Sequence, residues 1–117
     1  MQNTNDDPKN TTSSTLHEVY VLSVTYDKDP TCVIVPRELL VSIGDQVKFT
    51  NLTAEEVRIE FSTSELFGTA AFSLQPEGSA THTVLNIAYE AYPYSVICGG
   101  ADAYPDKASR PIIVVYK

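Results

Sequence analysis

The residues that could carry chemistry are two histidines and two cysteines, scattered along the chain as His17, Cys32, His82 and Cys98. A thiolate beside imidazoles suits a soft transition metal. Two cysteines alone also allow a disulfide, two buried unreactive thiols, or redox-active thiols. Cys98 ends the tyrosine-rich run Tyr92-Pro93-Tyr94-Ser95-Val96-Ile97 and precedes Gly99-Gly100-Ala101-Asp102. Carboxylates pair at Glu55-Glu56 and at Asp102 with Asp106. Acid–base work would require a cleft and displaced pKa values. The sequence indicates neither, so they read as surface carboxylates. His82, among Ala80, Thr81, Thr83 and Val84, reads as a structural or surface histidine, and His17 as solvated. No Ser-His-Asp order, phosphate-binding glycine loop or zinc-ligand spacing stands out.

The elements that must position these residues are strands. Glu18 to Tyr26 alternates, with Tyr20, Leu22, Val24 and Tyr26 on one face and Val19 and Val21 on the other. Asp27-Lys28-Asp29-Pro30 is a turn, and Cys32 to Val35 a short strand ended by Pro36. Leu39, Val41 and Ile43 alternate up to a tight turn at Gly44-Asp45, beyond which Val47 and Phe49 continue. Val57, Ile59 and Phe61 make the next strand. Ser62 to Ser73 reads as irregular, with one helical turn or a loop that packs two Phe. Gln75-Pro76-Glu77-Gly78 is another turn, followed by alternation at Ala80, His82 and Val84. Tyr92, Tyr94, Val96 and Cys98 share one strand face, and Ile112 to Tyr116 closes the chain. Seven or eight short strands with regular turns predict an all-β antiparallel sandwich.

Composition agrees. A chain of 117 residues with 43% hydrophobic content is one globular domain. Residues 1 to about 16 are polar and read as a flexible leader, leaving 17–117 as the domain. A formal charge of −7 argues against sequence-independent nucleic-acid binding and against docking on anionic membranes. No apolar run approaches a membrane span, and no signal-peptide core is visible at the N-terminus. Asn10-Thr11-Thr12 and Asn51-Leu52-Thr53 match the short glycosylation sequon.

Three segments in this order resemble the cupredoxin family, the small blue-copper β-sandwiches. Val35-Pro36-Arg37-Glu38-Leu39, running on to Ile43-Gly44-Asp45-Gln46-Val47-Lys48-Phe49 and Asn51, is similar to one family segment. Leu74-Gln75-Pro76-Glu77-Gly78 resembles the turn before the penultimate strand pair. Tyr92-Pro93-Tyr94-Ser95 resembles the approach to the copper cysteine. The likeness spans roughly residues 32 to 115 and implies a Greek-key sandwich.

The family's copper ligands are two His, one Cys and an axial Met. By this resemblance the first His falls at Val57. The Cys falls at Val96 or Cys98, depending on register. The second His falls within Gly99, Gly100, Ala101 and Asp102, and the only Met is Met1. A binuclear copper site would need two Cys on the loop, which has one. Val57, Val96, Cys98 and Gly99 therefore mark a degenerate ligand set, and the expectation is no cofactor.

The family pattern also puts Cys32 at the end of the sandwich that carries Cys98. A disulfide between them is the candidate. It would close a loop of about 66 residues and stabilise by roughly 4 kcal/mol in the chain-entropy model. Two buried thiols, or metal or redox thiols, are the alternatives. Val57, Gly99, Gly100, Tyr104 and Pro105 mark a candidate docking end, as in copper-free relatives such as the ephrins, where the sandwich serves protein recognition. Tyr92 is the candidate for a corner hydrogen bond. The resemblance thus implies a copper-less, non-enzymatic module, periplasmic or extracellular, acting through protein contacts. The alternative is a divergent copper-binding or electron-transfer protein using Cys98 and Cys32.

Overall fold

The computed structural model describes residues 14–26 and 29–117. Most of the polar leader expected over residues 1–16 lies outside the described residues, as do Asp27 and Lys28 and the sequon at Asn10. Among the described residues ten strands follow in chain order: β1 (Leu16–Tyr26), β2 (Asp29–Val35), β3 (Glu38–Val41), β4 (Gln46–Asn51), β5 (Val57–Phe61), β6 (Ala71–Leu74), β7 (Ser79–Thr83), β8 (Ala91–Cys98), β9 (Ala101–Asp102) and β10 (Ile112–Val115).

The strands form the two layers of a sandwich. One sheet has the order β2-β1-β4-β7. The other runs β3-β10-β8-β5-β6, with β9 folded back on β8. The sandwich is as expected, but two neighbour pairs, β1 with β4 and β3 with β10, are parallel where an all-antiparallel pattern was expected. The cause is Pro36-Arg37, which carries the chain from β2 in the first sheet to β3 in the second, so that later strands return beside earlier ones running the same way.

Alternation decides what is inside. On β1 the inward face is Val19 and Val21, both fully buried, while Val24 is exposed. They meet Val47 and Phe49 of β4, Val57 and Ile59 of β5, Tyr94 and Val96 of β8, and Ile113 and Val115 of β10 in one core. Phe49 is the hub of the aromatic part, with Phe67, Phe72 and Tyr94 edge-on at 5.2–6.1 Å.

The turns follow their residues. Asp45 N–H donates to Ser42 O across Ile43-Gly44, where Gly44 takes φ +95°. Ile43 thus belongs to the turn rather than to a strand. Gly78 N–H closes the second turn on Gln75 O, although Glu77 there holds φ +65°, a conformation ordinarily left to glycine. Asp29 and Pro30, expected in a turn, already pair in β2. The stretch Ser62 to Ser73 is irregular only to Ala70. Its end enters β6, because Phe72 and Leu74 alternate inward against Ile59 and Val57. Before β6, Gly68 N–H bonds to Ser64 O in a single helical-type turn that buries Leu66 and Phe67.

Neither histidine is solvated. His17 lies on β1 and its Nε2 meets Asp45 Oδ2 at 2.8 Å. This corrects its expected solvation, and the cause is that Leu16 and His17 pair beside Gln46 and Val47 of β4. Burial alone would push the Asp45 carboxyl up. The bonds from His17 and from the Ser42 and Thr15 N–H groups outweigh it and hold the carboxyl below its usual range.

His82 faces inward from β7, opposite Val47, with its ring 4.3 Å from Phe72 and 5.4 Å from Phe67. Its Nε2 is buried without a partner, and burial pushes its pKa down. A cation over a phenyl face is attractive, but here desolvation wins. The unfolded chain therefore takes up a proton at this residue more readily than the fold does. Stability from His82 is complete above about pH 6.5, the ordinary histidine value, and is lost as pH falls below it. In His82→Phe, urea melts at pH 7.5 and pH 5.5 should show a smaller loss of stability on acidification than the parent. An equal loss in both would exclude His82 as its source.

Candidate functional site

The end of the sandwich that holds Cys98 is built from three elements: the end of β8, the start of β5 and the middle of β2. Cys98 is the last residue of β8, and its cross-strand neighbour is Val57, the first residue of β5. Val57 is fully buried and packs in the core. Val96 lies two residues deeper, opposite Ile59, and is also fully buried. Of the two registers for a loop cysteine, Val96 is thus core and Cys98 sits at the mouth.

Gly99 and Gly100 follow with φ +58° and +84°, which closes a two-residue hairpin between Cys98 and Ala101. Positive φ at both central residues suits glycine and strains a histidine. A Cβ built on Gly99 would also meet the Glu55 carboxylate, which would have to swing aside. The position where the resemblance puts the second imidazole is occupied by a turn and an acid from the facing loop.

Cys32 lies on β2 opposite Ser23 and forms a disulfide with Cys98. Their Cα atoms are 6.5 Å apart and the bond spans a sequence separation of 66. It joins the first sheet to the second. Nearby, the Ile34 N–H donates to the Tyr104 hydroxyl at 2.9 Å, and Tyr104 N–H donates to Asp102 Oδ1 at 2.9 Å. Arg110 stands 3.6 Å from Asp102. Asp106 is spent on capping a short 3-10 turn, Lys107–Ser109, through Ala108 N–H. Asp102 and Asp106 therefore do not act as a pair. Glu55 lines the groove above the disulfide, while Glu56 accepts from Gln75 Nε2 outside it.

Beneath lies a support that the sequence reading did not assign. Asn51 is fully buried at the end of β4. Its amide donates to the carbonyls of Glu55, Leu74 and Gln75 at 2.7–3.2 Å. Its Oδ1 accepts from both the N–H and the hydroxyl of Thr53. One side chain thus fixes the β4–β5 loop, which carries Glu55, to the end of β6. Burial also rules out Asn51 as a glycosylation acceptor despite its sequon. The available signal was the Asn itself: a polar residue ending the buried alternation Val47, Phe49.

These elements leave a groove of about 440 Å³ over the disulfide, lined by Cys32, Cys98, Thr53, Ala54, Glu55 and Asp102 among others. Of the expected docking residues, Gly99, Gly100 and Pro105 are exposed and Tyr104 is half-buried. Val57 is the exception: it is core, so it fills this end and offers no surface. Among the described residues no cluster of three or more His, Cys, Asp or Glu could hold a metal. A copper ion does not fit. The sulfur is bonded, Val57 and Gly99 stand where imidazoles would be needed, and His17 and His82 are held elsewhere. At the other end of β8, the Tyr92 hydroxyl donates to Ala88 O at 2.6 Å, the corner bond expected of it.

No protein-family model matches the chain, and no curated protein matches it. Solved structures do. A purple cupredoxin from Nitrosopumilus maritimus is similar over 85% of this chain and 98% of its own, with a TM-score of 0.55 and 14% identity. The reduced state of an amicyanin mutant has a TM-score of 0.53 at 22% identity, covering 86% of this chain and 81% of its own. A Cu(I) form of another amicyanin mutant has 0.52 at 24%, with the same coverage.

Asn51→Ala should lower unfolding stability by about 3 kcal/mol, because three carbonyls and two donors lose their partner in the interior. Urea denaturation of the oxidised protein checks this. A loss below about 1 kcal/mol would mean that water replaces the amide.

Proposed function

We propose that this chain, whose fold is that of the cupredoxins, works as a copper-free module that acts through protein contacts at the disulfide-closed end. The carrying observation is the Cys32–Cys98 disulfide. It consumes the one sulfur on the loop that could ligate a metal. Val57 in the core and Gly99 in a tight turn support the same reading, since each replaces an imidazole with something that seals or shapes the end.

What this end offers is a surface rather than a reaction centre. Gly99, Gly100 and Pro105 are exposed around a groove of small side chains, and no nucleophile–base pair lies in it. The module is non-enzymatic on this reading. A disulfide persists in an oxidising compartment, which favours a periplasmic or extracellular place for the protein. No helix among the described residues is long and apolar enough to cross a membrane.

Titration of the purified protein with Cu(II) and Cu(I), with thiols counted in parallel under denaturing conditions, tests the reading. Expected are no free thiols, no stoichiometric copper uptake and no thiolate-to-copper absorption in the visible. Two free thiols with one copper bound, lost in Cys98→Ser, would overturn it and restore a divergent copper protein.

A further inference from the structure

The disulfide is not sealed in the core. Cys32 and Cys98 are each only partly buried, and both line the groove of about 440 Å³. Most of its other walls are small side chains, Ser23, Thr31, Thr53, Ala54 and Ala101 among them, with the carboxylates of Glu55 and Asp102 beside them. A cysteine side chain of another molecule can therefore enter and approach a sulfur without unfolding the sandwich. Disulfides that exchange in the native state need this access, and buried structural ones lack it.

What the bond holds is also local. The arm Gly99–Pro105 leaves β8 through two left-handed glycines and returns as the two-residue β9. Apart from the disulfide, its hydrogen bond to the opposite sheet is from Ile34 N–H to the Tyr104 hydroxyl, while β9 and Ala103 N–H bond it to β8 and Ala103 and Tyr104 pack on the edge of the core. The core of Val19, Val47, Ile59 and Ile113 lies deeper and is fully buried.

We propose that Cys32–Cys98 is a thiol-exchange site of the folded protein, opened by a dithiol reductant that enters the groove, and that reduction frees the arm Gly99–Pro105. In the first step a thiolate of the reductant attacks one cysteine sulfur. A mixed disulfide forms, the S–S bond breaks, and the other cysteine leaves as a thiolate that takes a proton from water. The reductant's second thiol then attacks its own sulfur in the mixed disulfide and releases the second cysteine, which is likewise protonated. Two electrons and two protons reach the protein, and the reductant leaves as a disulfide.

Glu55 and Asp102 line the same groove, and their negative charge disfavours the leaving thiolate. A monothiol therefore exchanges slowly here. A dithiol succeeds because its second thiol traps the intermediate intramolecularly. That reduction would also remodel the docking end rests on the function proposed above; the exchange itself does not.

The test treats the oxidised full chain with dithiothreitol in native buffer. Thiols are counted by alkylation and mass, and amide hydrogen exchange is followed in the same samples. Expected are two alkylated cysteines, with Ile34, Ala101 and Tyr104 amides losing protection while those of Val19, Val47 and Ile59 keep theirs. Filling the groove with Ala101→Trp should slow reduction about tenfold at unchanged melting temperature. Thiols that appear only as fast as the core amides exchange would overturn the proposal. So would an arm that stays protected after reduction, or reduction of Ala101→Trp at the parent rate. Neither copper nor a partner enters these readouts, so their failure leaves the proposed function standing.

Discussion

At the ends of a β-sandwich the backbone leaves its ladders, and every buried carbonyl there must find another donor. In this protein the Asn51 side chain supplies that donor to Glu55, Leu74 and Gln75, while its oxygen holds Thr53. The rest of the end is arranged on it. The β4–β5 loop can place Glu55 against Gly99 only because its backbone is pinned. The hairpin after Cys98 is tight because Gly99 and Gly100 both take positive φ, and Gly99 leaves room beside it for the carboxylate. Cys98 is then fixed at the mouth of β8, within reach of Cys32 on the other sheet.

Much of this was legible in the residues. The alternation at Val47 and Phe49, at Val57, Ile59 and Phe61, and at Tyr94 and Val96 gives the core almost as it is found, because a half-buried strand must alternate. The turn at Gly44 was legible for a similarly local reason, whereas the corner bond of Tyr92 was expected only through the resemblance to the cupredoxins. The residues wrong for copper at Val57 and Gly99 were expected only through that resemblance, which names the positions an imidazole would take.

The rest depended on contacts between distant segments. Nothing near His17 indicates that its partner would be Asp45, which reaches it only through the parallel pairing of β1 with β4. His82 sits in ordinary strand alternation, and its aromatic surroundings come from Phe49, Phe67 and Phe72 on three other segments. The strand β6 lacks β-branched residues and is made by its neighbour β5 rather than by its own propensity. The exposed face expected at Val57 failed because a residue's burial is a property of the closed sandwich.

The sheet order has a consequence for how the molecule is made. β1 lies between β2 and β4, and β10 lies between β3 and β8, so among the described residues neither the first nor the last strand is an edge. A growing chain that has synthesised β3 and β8 but not Ile112–Val115 holds two strands with a gap between them. Glu38 waits for Ile112, and Tyr92 for Ile113. Local pairing cannot fill that gap, and contacts so distant in sequence form slowly. The second sheet therefore closes only after synthesis has passed β10. Until then its strand edges are open to chaperones or to pairing with another copy.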